Sequence, residues 1–165
     1  MSLKAPQIAM KMLNDLREEI VINTSLIDDM ISRFLANRLG VNDIKTINAL
    51  GTEGTLTFKE KVTLFCDVIP ISKIDKAKFK VFTKIYYEFL LDNSPDTSNN
   101  QLIQLQNYYP FLFNTYLVNE SITSIKEKLI FAVQRLINDV VNITTGYIVK
   151  PQIYYNKEVG ITLPE

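Results

Sequence analysis

Histidine is missing from all 165 residues, and so is tryptophan. Without an imidazole there is no Ser-His-Asp triad, no Cys-His dyad, no His-Glu-x-x-His zinc motif and no imidazole acid–base step. Cys66 is the one cysteine, so neither an internal disulfide nor a Cys-x-x-Cys site can form. It lies in the apolar run Val62-Thr-Leu-Phe-Cys-Asp-Val-Ile69 and reads as a small buried hydrophobe. No cationic neighbour in that run would hold a thiolate. A free thiol points to a reducing compartment, and a cytoplasmic setting is expected.

Glycine is scarce as well. The five glycines form no Gly-x-Gly-x-x-Gly, and Gly51-Thr-Glu-Gly54 lacks the Gly-Lys-Ser/Thr that a phosphate-cradling loop needs. No cofactor is expected. No run approaches the roughly 20 apolar residues of a membrane span. Met1-Ser-Leu-Lys-Ala-Pro6 has no apolar signal core, so secretion by that route is not expected. The Asn-x-Ser/Thr matches at Asn23, Asn119 and Asn142 read as chance in an Asn-rich chain. Charge of one sign is not in excess, since 18 Lys and Arg balance 18 Asp and Glu. A neutral chain has no bulk pull toward nucleic acid or anionic membrane, which leaves only a local patch.

What the chain does have is 47% apolar and 22% charged residues, the profile of a globular protein long enough to bury a core. One helical domain over residues 1–165 is expected, with 147–165 as an extended tail. Apolar residues recur at Ile8, Met12, Leu16, Ile20, Leu26 or Ile27, Met30 or Ile31, Phe34 and Leu35, one face of a long helix from Pro6 to Leu39. Gly40 supplies its left-handed stop. Asn42 to Leu50 reads as a short helix capped by Asn42. Thr57-Phe-Lys-Glu60 is a capping box opening a helix that stops at Pro70. Ser72 or Asp75 caps the next, which runs to Leu91 with Ile74, Ala77, Val81, Phe82, Ile85 and Phe89 inward. Gln101 to Val118 is helical, broken or kinked near Tyr109 by Pro110. Ser124-Ile-Lys-Glu127 opens the last long helix, with Ile125, Leu129, Ala132, Val133, Leu136, Val140 and Ile143 inward and Gly146 as its end. Tyr147 to Tyr155 is β-branched and aromatic around Pro151 and reads as extended. The architecture expected is an all-α bundle of five to seven helices, with the first and last long helices as its spine.

Five features are weighed as candidate sites. Asp15 and Glu19, one helical turn apart, can share a cation, but the Glu-x-x-His of a di-metal bundle is impossible here. Solvated surface charge is the simpler reading for them and for Glu18, Asp28 and Asp29. Lys73, Lys76, Lys80 and Lys84 fall on one stripe of their helix, with Lys78 nearby. Tyr86 and Tyr87 follow at its end and can stack on bases. Tyr108 and Tyr109 belong to an aromatic cluster with Phe111, Phe113 and Tyr116 around Pro110, which suits either core packing or a partner patch. Tyr154 and Tyr155 lie in the tail, which can pack on the helices or reach a second chain. Arg135, Asn138 and Asp139 are explained by an intrahelical surface network.

Ser25 to Leu91 resembles the mannitol operon repressor-like family, related in style to the HEPN class of helical bundles. The resemblance is carried by the apolar helix Thr24 to Leu39, a loop with Gly51 and Gly54, Leu56-Thr-Phe-Lys-Glu-Lys-Val-Thr-Leu-Phe65, and Phe82-Thr-Lys-Ile-Tyr-Tyr-Glu-Phe-Leu-Leu91. Such families often carry an Ile-Arg-Asn-x-Phe-Ala-His-like signature in the last of these helices. Here Ile85 and Phe89 keep the apolar frame, while Tyr86, Tyr87 and Leu91 stand where Arg, Asn and His would be. The resemblance implies a non-catalytic scaffold or transcriptional regulator, and a homodimer. The expectation is therefore a non-enzymatic interaction protein that self-associates or binds another protein. The alternative is a nucleic-acid-binding regulator that uses the lysine stripe.

Overall fold

The computed structural model describes residues 5–41, 43–44, 47–50, 54–91, 105–117 and 124–149. Every regular element among them is helical: α1 (Ala5–Arg38), α2 (Phe58–Val68), α3 (Lys73–Leu91), α4 (Tyr109–Leu112), a π-helical turn (Phe113–Leu117) and α5 (Ile125–Val149). The protein is an all-α bundle. None of the described helices is long and apolar enough to cross a membrane.

α1 spans about 50 Å at 1.5 Å per residue. It buries Leu13, Leu16, Ile20, Ile27, Ile31, Phe34 and Leu35, while Leu26 faces outward. Its end is a Schellman motif. Gly40 sits at φ 71°, the Val41 N–H reaches the Ala36 carbonyl at 3.0 Å, and the Gly40 N–H reaches Asn37 at 3.1 Å. In the segment after it, the expected helix Asn42–Leu50 is not formed by the described residues. The Ile47 and Leu50 N–H groups bond three residues back, to Ile44 and Ile47, which is 3₁₀-type turn geometry. Asn42 lies outside the described residues.

The capping box of α2 forms as the sequence requires. Thr57 Oγ1 accepts the Glu60 N–H at 3.3 Å and Glu60 Oε2 accepts the Thr57 N–H at 2.8 Å. α3 starts the same way, with Ser72 Oγ accepting the Asp75 N–H at 3.1 Å. Two of the expected core positions are corrected. Ile74 is 65% exposed, and Phe79, at 0% exposure, takes its place. Ile74 falls in the first turn and, at about 100° per residue, lies about 80° from Phe82, at the edge of the buried stripe, so period alone misplaces it. Ile125, in the first turn of α5, is also exposed, and Ile130 and Ile137 join that helix's core face.

Pro110 sits in the first turn of α4, where its missing N–H removes no helical bond. The break near Tyr109 is therefore real: residues 107 and 108 are a turn. Gly146, by contrast, does not end α5. The helix runs through it to Val149, so the extended segment does not begin at Tyr147. Tyr147 explains the continuation. Its hydroxyl donates to the Pro70 carbonyl at 2.9 Å and its ring meets Phe65 edge-on at 6.3 Å, which holds the end of α5 on the α2–α3 link. Residues 150–165 lie outside the described residues.

α1 packs chiefly on α5, and α5 on α3, with α2 laid against α1 and α3. The rings of Phe34, Phe65 and Phe79 join these layers edge to face at 5.1 and 5.7 Å.

Candidate functional site

α2 and α3 are joined by a short link at Pro70 and run antiparallel, so the end of α2 meets the start of α3. Lys76 Nζ lies 3.5 Å from Asp67 Oδ1 across that end. Between the two helices lies a cleft of about 710 Å³. Its floor is Val62, Cys66, Phe79 and Thr83. Its walls carry Lys59 and Thr63 from α2 and Lys76, Lys80 and Lys84 from α3. Tyr87, Glu88 and Tyr108 close the far end.

The walls follow from helical spacing. Lys59, Thr63 and Asp67 are spaced four apart on α2, and Lys76, Lys80 and Lys84 four apart on α3. Each set forms one exposed ridge beside its helix's buried face. Lys59, Lys80 and Lys84 have no carboxylate within ion-pair distance among the described residues, whereas Lys76 is engaged by Asp67. The cleft thus has a closed ion pair at one end, and toward the other three ammonium groups without an ion-pair partner among the described residues, with Glu88 beside them. On the floor, the buried Thr83 hydroxyl has no hydrogen-bond partner among the described residues.

The residues singled out in the sequence separate into those in the cleft and those elsewhere. Lys73, Lys76, Lys80 and Lys84 are all exposed, and the last three line the cleft. Tyr87 lines it too. Tyr86 does not: its ring is half-buried against Phe58 at 5.5 Å and Tyr87 at 5.2 Å. Tyr108 lines the cleft and donates its hydroxyl to Glu88 Oε1. Tyr109 is half-buried with its ring on Phe113 at 5.4 Å. Tyr154 and Tyr155 lie outside the described residues. Lys59 and Thr63, on the α2 wall, escape a reading of α3 alone; their four-residue spacing with Asp67 is the signal that finds them.

The carboxylates of α1 are not uniformly solvated. Asp15 and Glu18 are exposed, and Asp29 holds Arg33 at 2.8 Å. Glu19, however, accepts from Gln134 Nε2 at 2.9 Å, and Asp28 accepts from the buried Lys61 at 2.9 Å. Among the described residues no three His, Cys, Asp or Glu side chains converge to hold a metal ion. Asp139 also corrects its sequence reading. It reaches off its helix, accepting from Lys78 Nζ at 2.7 Å and the Tyr116 hydroxyl at 3.0 Å, while Lys78 also meets Asp75 at 3.3 Å. Arg135 instead stacks over Phe131 at 4.9 Å.

The shifted groups of the cleft and of the Asp139 cluster are biased toward their protonated forms, whereas the capping bonds from Thr57 hold the Glu60 carboxyl below its ordinary value. Burial pushes the Cys66 thiol up to about 11. Burial and then the Glu88 carboxylate push the Tyr108 phenol up, and burial and then Asp139 do the same for Tyr116. Burial pulls Lys78 down, but the hydrogen bonds and charges of Asp139 and Asp75 outweigh it, and its pKa rises. Near neutral pH these groups are a thiol, two phenols and an ammonium, none of them a ready base or nucleophile. What the cleft offers is a rim richer in lysine than in carboxylate, over a floor that is apolar except for the Thr83 hydroxyl. No family model matches the chain, and neither a curated protein nor a solved structure matches it.

Proposed function

We propose that the protein is a non-enzymatic, cytoplasmic regulatory module that acts through protein–protein contacts, with the α2–α3 cleft as its docking site. The partner segment is an acidic amphipathic helix. One observation carries the reading: Lys59, Lys80 and Lys84, with no carboxylate at ion-pair distance among the described residues, stand around the floor of Val62, Cys66, Phe79 and Thr83. A helix laid in the groove buries its apolar stripe on that floor and turns flanking carboxylates to the lysines on both walls. The apolar contact supplies affinity, and the charges set orientation and on-rate. The resemblance to the mannitol operon repressor-like family favours a regulator, and the free thiol of Cys66 favours a reducing compartment.

Fluorescence anisotropy tests this with two labelled amphipathic peptides of about 18 residues, a length that gives five helical turns. One has Leu on one face and Glu flanking it; the other replaces Glu by Lys. The Glu peptide binds, and Lys80→Glu/Lys84→Glu weakens it tenfold or more, while Lys73→Glu, outside the cleft, leaves it unchanged. Equal binding of the Lys peptide contradicts the reading.

A second reading, single-stranded nucleic acid along Lys73 to Lys84, is favoured by the exposure of all four lysines and by Tyr87 in the same cleft. Against it stands the engagement of Tyr86 with Phe58, which removes one of the two stacking rings. An oligonucleotide whose affinity falls steeply and linearly on a log–log salt plot would favour it over the peptide.

A further inference from the structure

α5 delivers the chain to one end of the cleft. The Tyr147 hydroxyl donates to the Pro70 carbonyl at 2.9 Å and its ring meets Phe65 edge-on. The helix therefore finishes beside the α2–α3 link, where Asp67 and Lys76 form the first pair across the groove. From there the two walls run in step. With Asp67 opposite Lys76 in antiparallel helices, Thr63 stands opposite Lys80, and Lys59 opposite Lys84. Residues 150–165 follow Val149 and lie outside the described residues. They include Glu158-Val-Gly-Ile-Thr-Leu-Pro-Glu165, in which Val159, Ile161 and Leu163 alternate between two carboxylates. Pro151, Gly160 and Pro164 disfavour a helix over this stretch.

We propose that segment 158–165 occupies the α2–α3 cleft of its own chain, lying extended from the Lys76 end to the Lys84 end and competing there with an external partner. This rests on the reading of the cleft as a docking groove and adds what regulates it. Alternate residues of an extended chain share a face, so Val159, Ile161 and Leu163 meet the apolar part of the floor, Val62, Cys66 and Phe79, together. Those three span about 13 Å of extended chain, and Lys76 to Lys84 spans about 12 Å of helix. Glu158 then falls at the Lys76 end and Glu165 at the far end, where Lys59 and Lys84 have no carboxylate at ion-pair distance among the described residues. The acid already at that end, Glu88, accepts from the Tyr108 hydroxyl. Reach is ample, since residues 150–158 extend to about 30 Å and start beside the link. A tethered segment acts at a high effective concentration, so weak contacts suffice to hold it and an external partner must displace it.

Paramagnetic broadening in the full chain tests this without any peptide. Thr162 takes the opposite face from Ile161 and Leu163, so a nitroxide on Thr162→Cys points away from the floor. At neutral pH the buried Cys66 thiol stays unlabelled. The nitroxide should weaken the amide signals of Thr63, Lys80 and Lys84 about twofold or more and leave Ile22 on α1 unchanged. Ile161→Asp/Leu163→Asp should abolish that broadening and raise affinity for the Glu-flanked peptide about threefold or more, because more of the cleft stands open. Cleft amides untouched by the nitroxide overturn the inference, as does a peptide affinity indifferent to the double variant. So does broadening that persists when nitroxide-bearing chains are mixed with isotope-labelled chains lacking it, since the occupant is then a second copy. A cleft without the segment that still binds the peptide defeats this inference alone. A cleft that takes neither defeats the docking-groove reading as well.

Discussion

Lys61 of α2 is 2% exposed and holds Asp28 of α1 at 2.9 Å, an ion pair between residues 33 apart in sequence. The other oxygen of Asp28 is buried with no hydrogen-bond partner among the described residues, so the carboxylate depends on that lysine. Removing one member of such a pair leaves an uncompensated charge, whereas replacing both by apolar groups of similar size does not. Lys61→Met should lower stability by about 3 kcal/mol, and Lys61→Met/Asp28→Leu should recover most of it. Urea unfolding of the two variants checks this. A double variant as unstable as the single one would mean that the pair does more than neutralise itself.

Gly40 and Gly146 should respond to alanine in opposite directions. Gly146 lies inside α5 with nothing within 4 Å of an added Cβ. Gly146→Ala should stabilise by about 0.5–1 kcal/mol through helix propensity and a stiffer unfolded chain. Gly40 holds φ 71°, where a Cβ is strained, and Gly40→Ala should destabilise by about 1 kcal/mol. Melting temperatures decide both signs.

Cys66 should behave as a thiol deep into the alkaline range. Its pKa rises from an ordinary 9.0 to about 11 because burial penalises the thiolate. At pH 8 a disulfide reagent should label the folded protein about a hundredfold more slowly than the unfolded chain, from the thiolate fraction alone. A raised folded-state pKa means that the stability it contributes is complete below 9.0 and is lost as pH rises through about 11. The half-buried phenols of Tyr108 and Tyr116 add to the loss at the alkaline end, so Cys66→Ala should make the decline shallower without abolishing it. Equal labelling rates for folded and unfolded protein would contradict the burial.

Leu136 is fully buried in the middle of α5, the helix that packs on both α1 and α3. Leu136→Ala should cost about 3 kcal/mol. At roughly 2–4 °C per kcal/mol for a chain of this size, that is a fall of about 6–12 °C in Tm. Leu136→Asp should leave no cooperative transition at all. An unchanged melting curve in either variant would place this face outside the core.

Period and capping made much of the bundle legible in the sequence. The stops at Gly40 and Pro70, the capping box at Thr57 and the break at Pro110 are local chemistry, fixed by residues adjacent in the chain, and each stands where expected. Gly146 misleads because a tertiary contact, Tyr147 on Pro70 and Phe65, outweighs a weak local preference. Ile74 and Ile125 mislead because both lie in the first turn of a helix, where period alone does not decide burial. The cleft was half legible. The lysines of α3 are visible as a stripe, but the opposing wall on α2 appears only once the two helices are antiparallel. Lys61, Lys78 and Asp139 were hidden for a related reason, since their partners come from other helices.

Amide chemical-shift mapping of the full chain tests most directly whether the cleft between α2 and α3 is a docking site. Titration with the Glu-flanked amphipathic peptide should perturb Lys59, Thr63, Lys80, Lys84 and Tyr87 together, and leave the outward face of α1 around Ile22 unmoved. Shifts absent from those five residues at saturating peptide, or spread evenly over the surface, would contradict it.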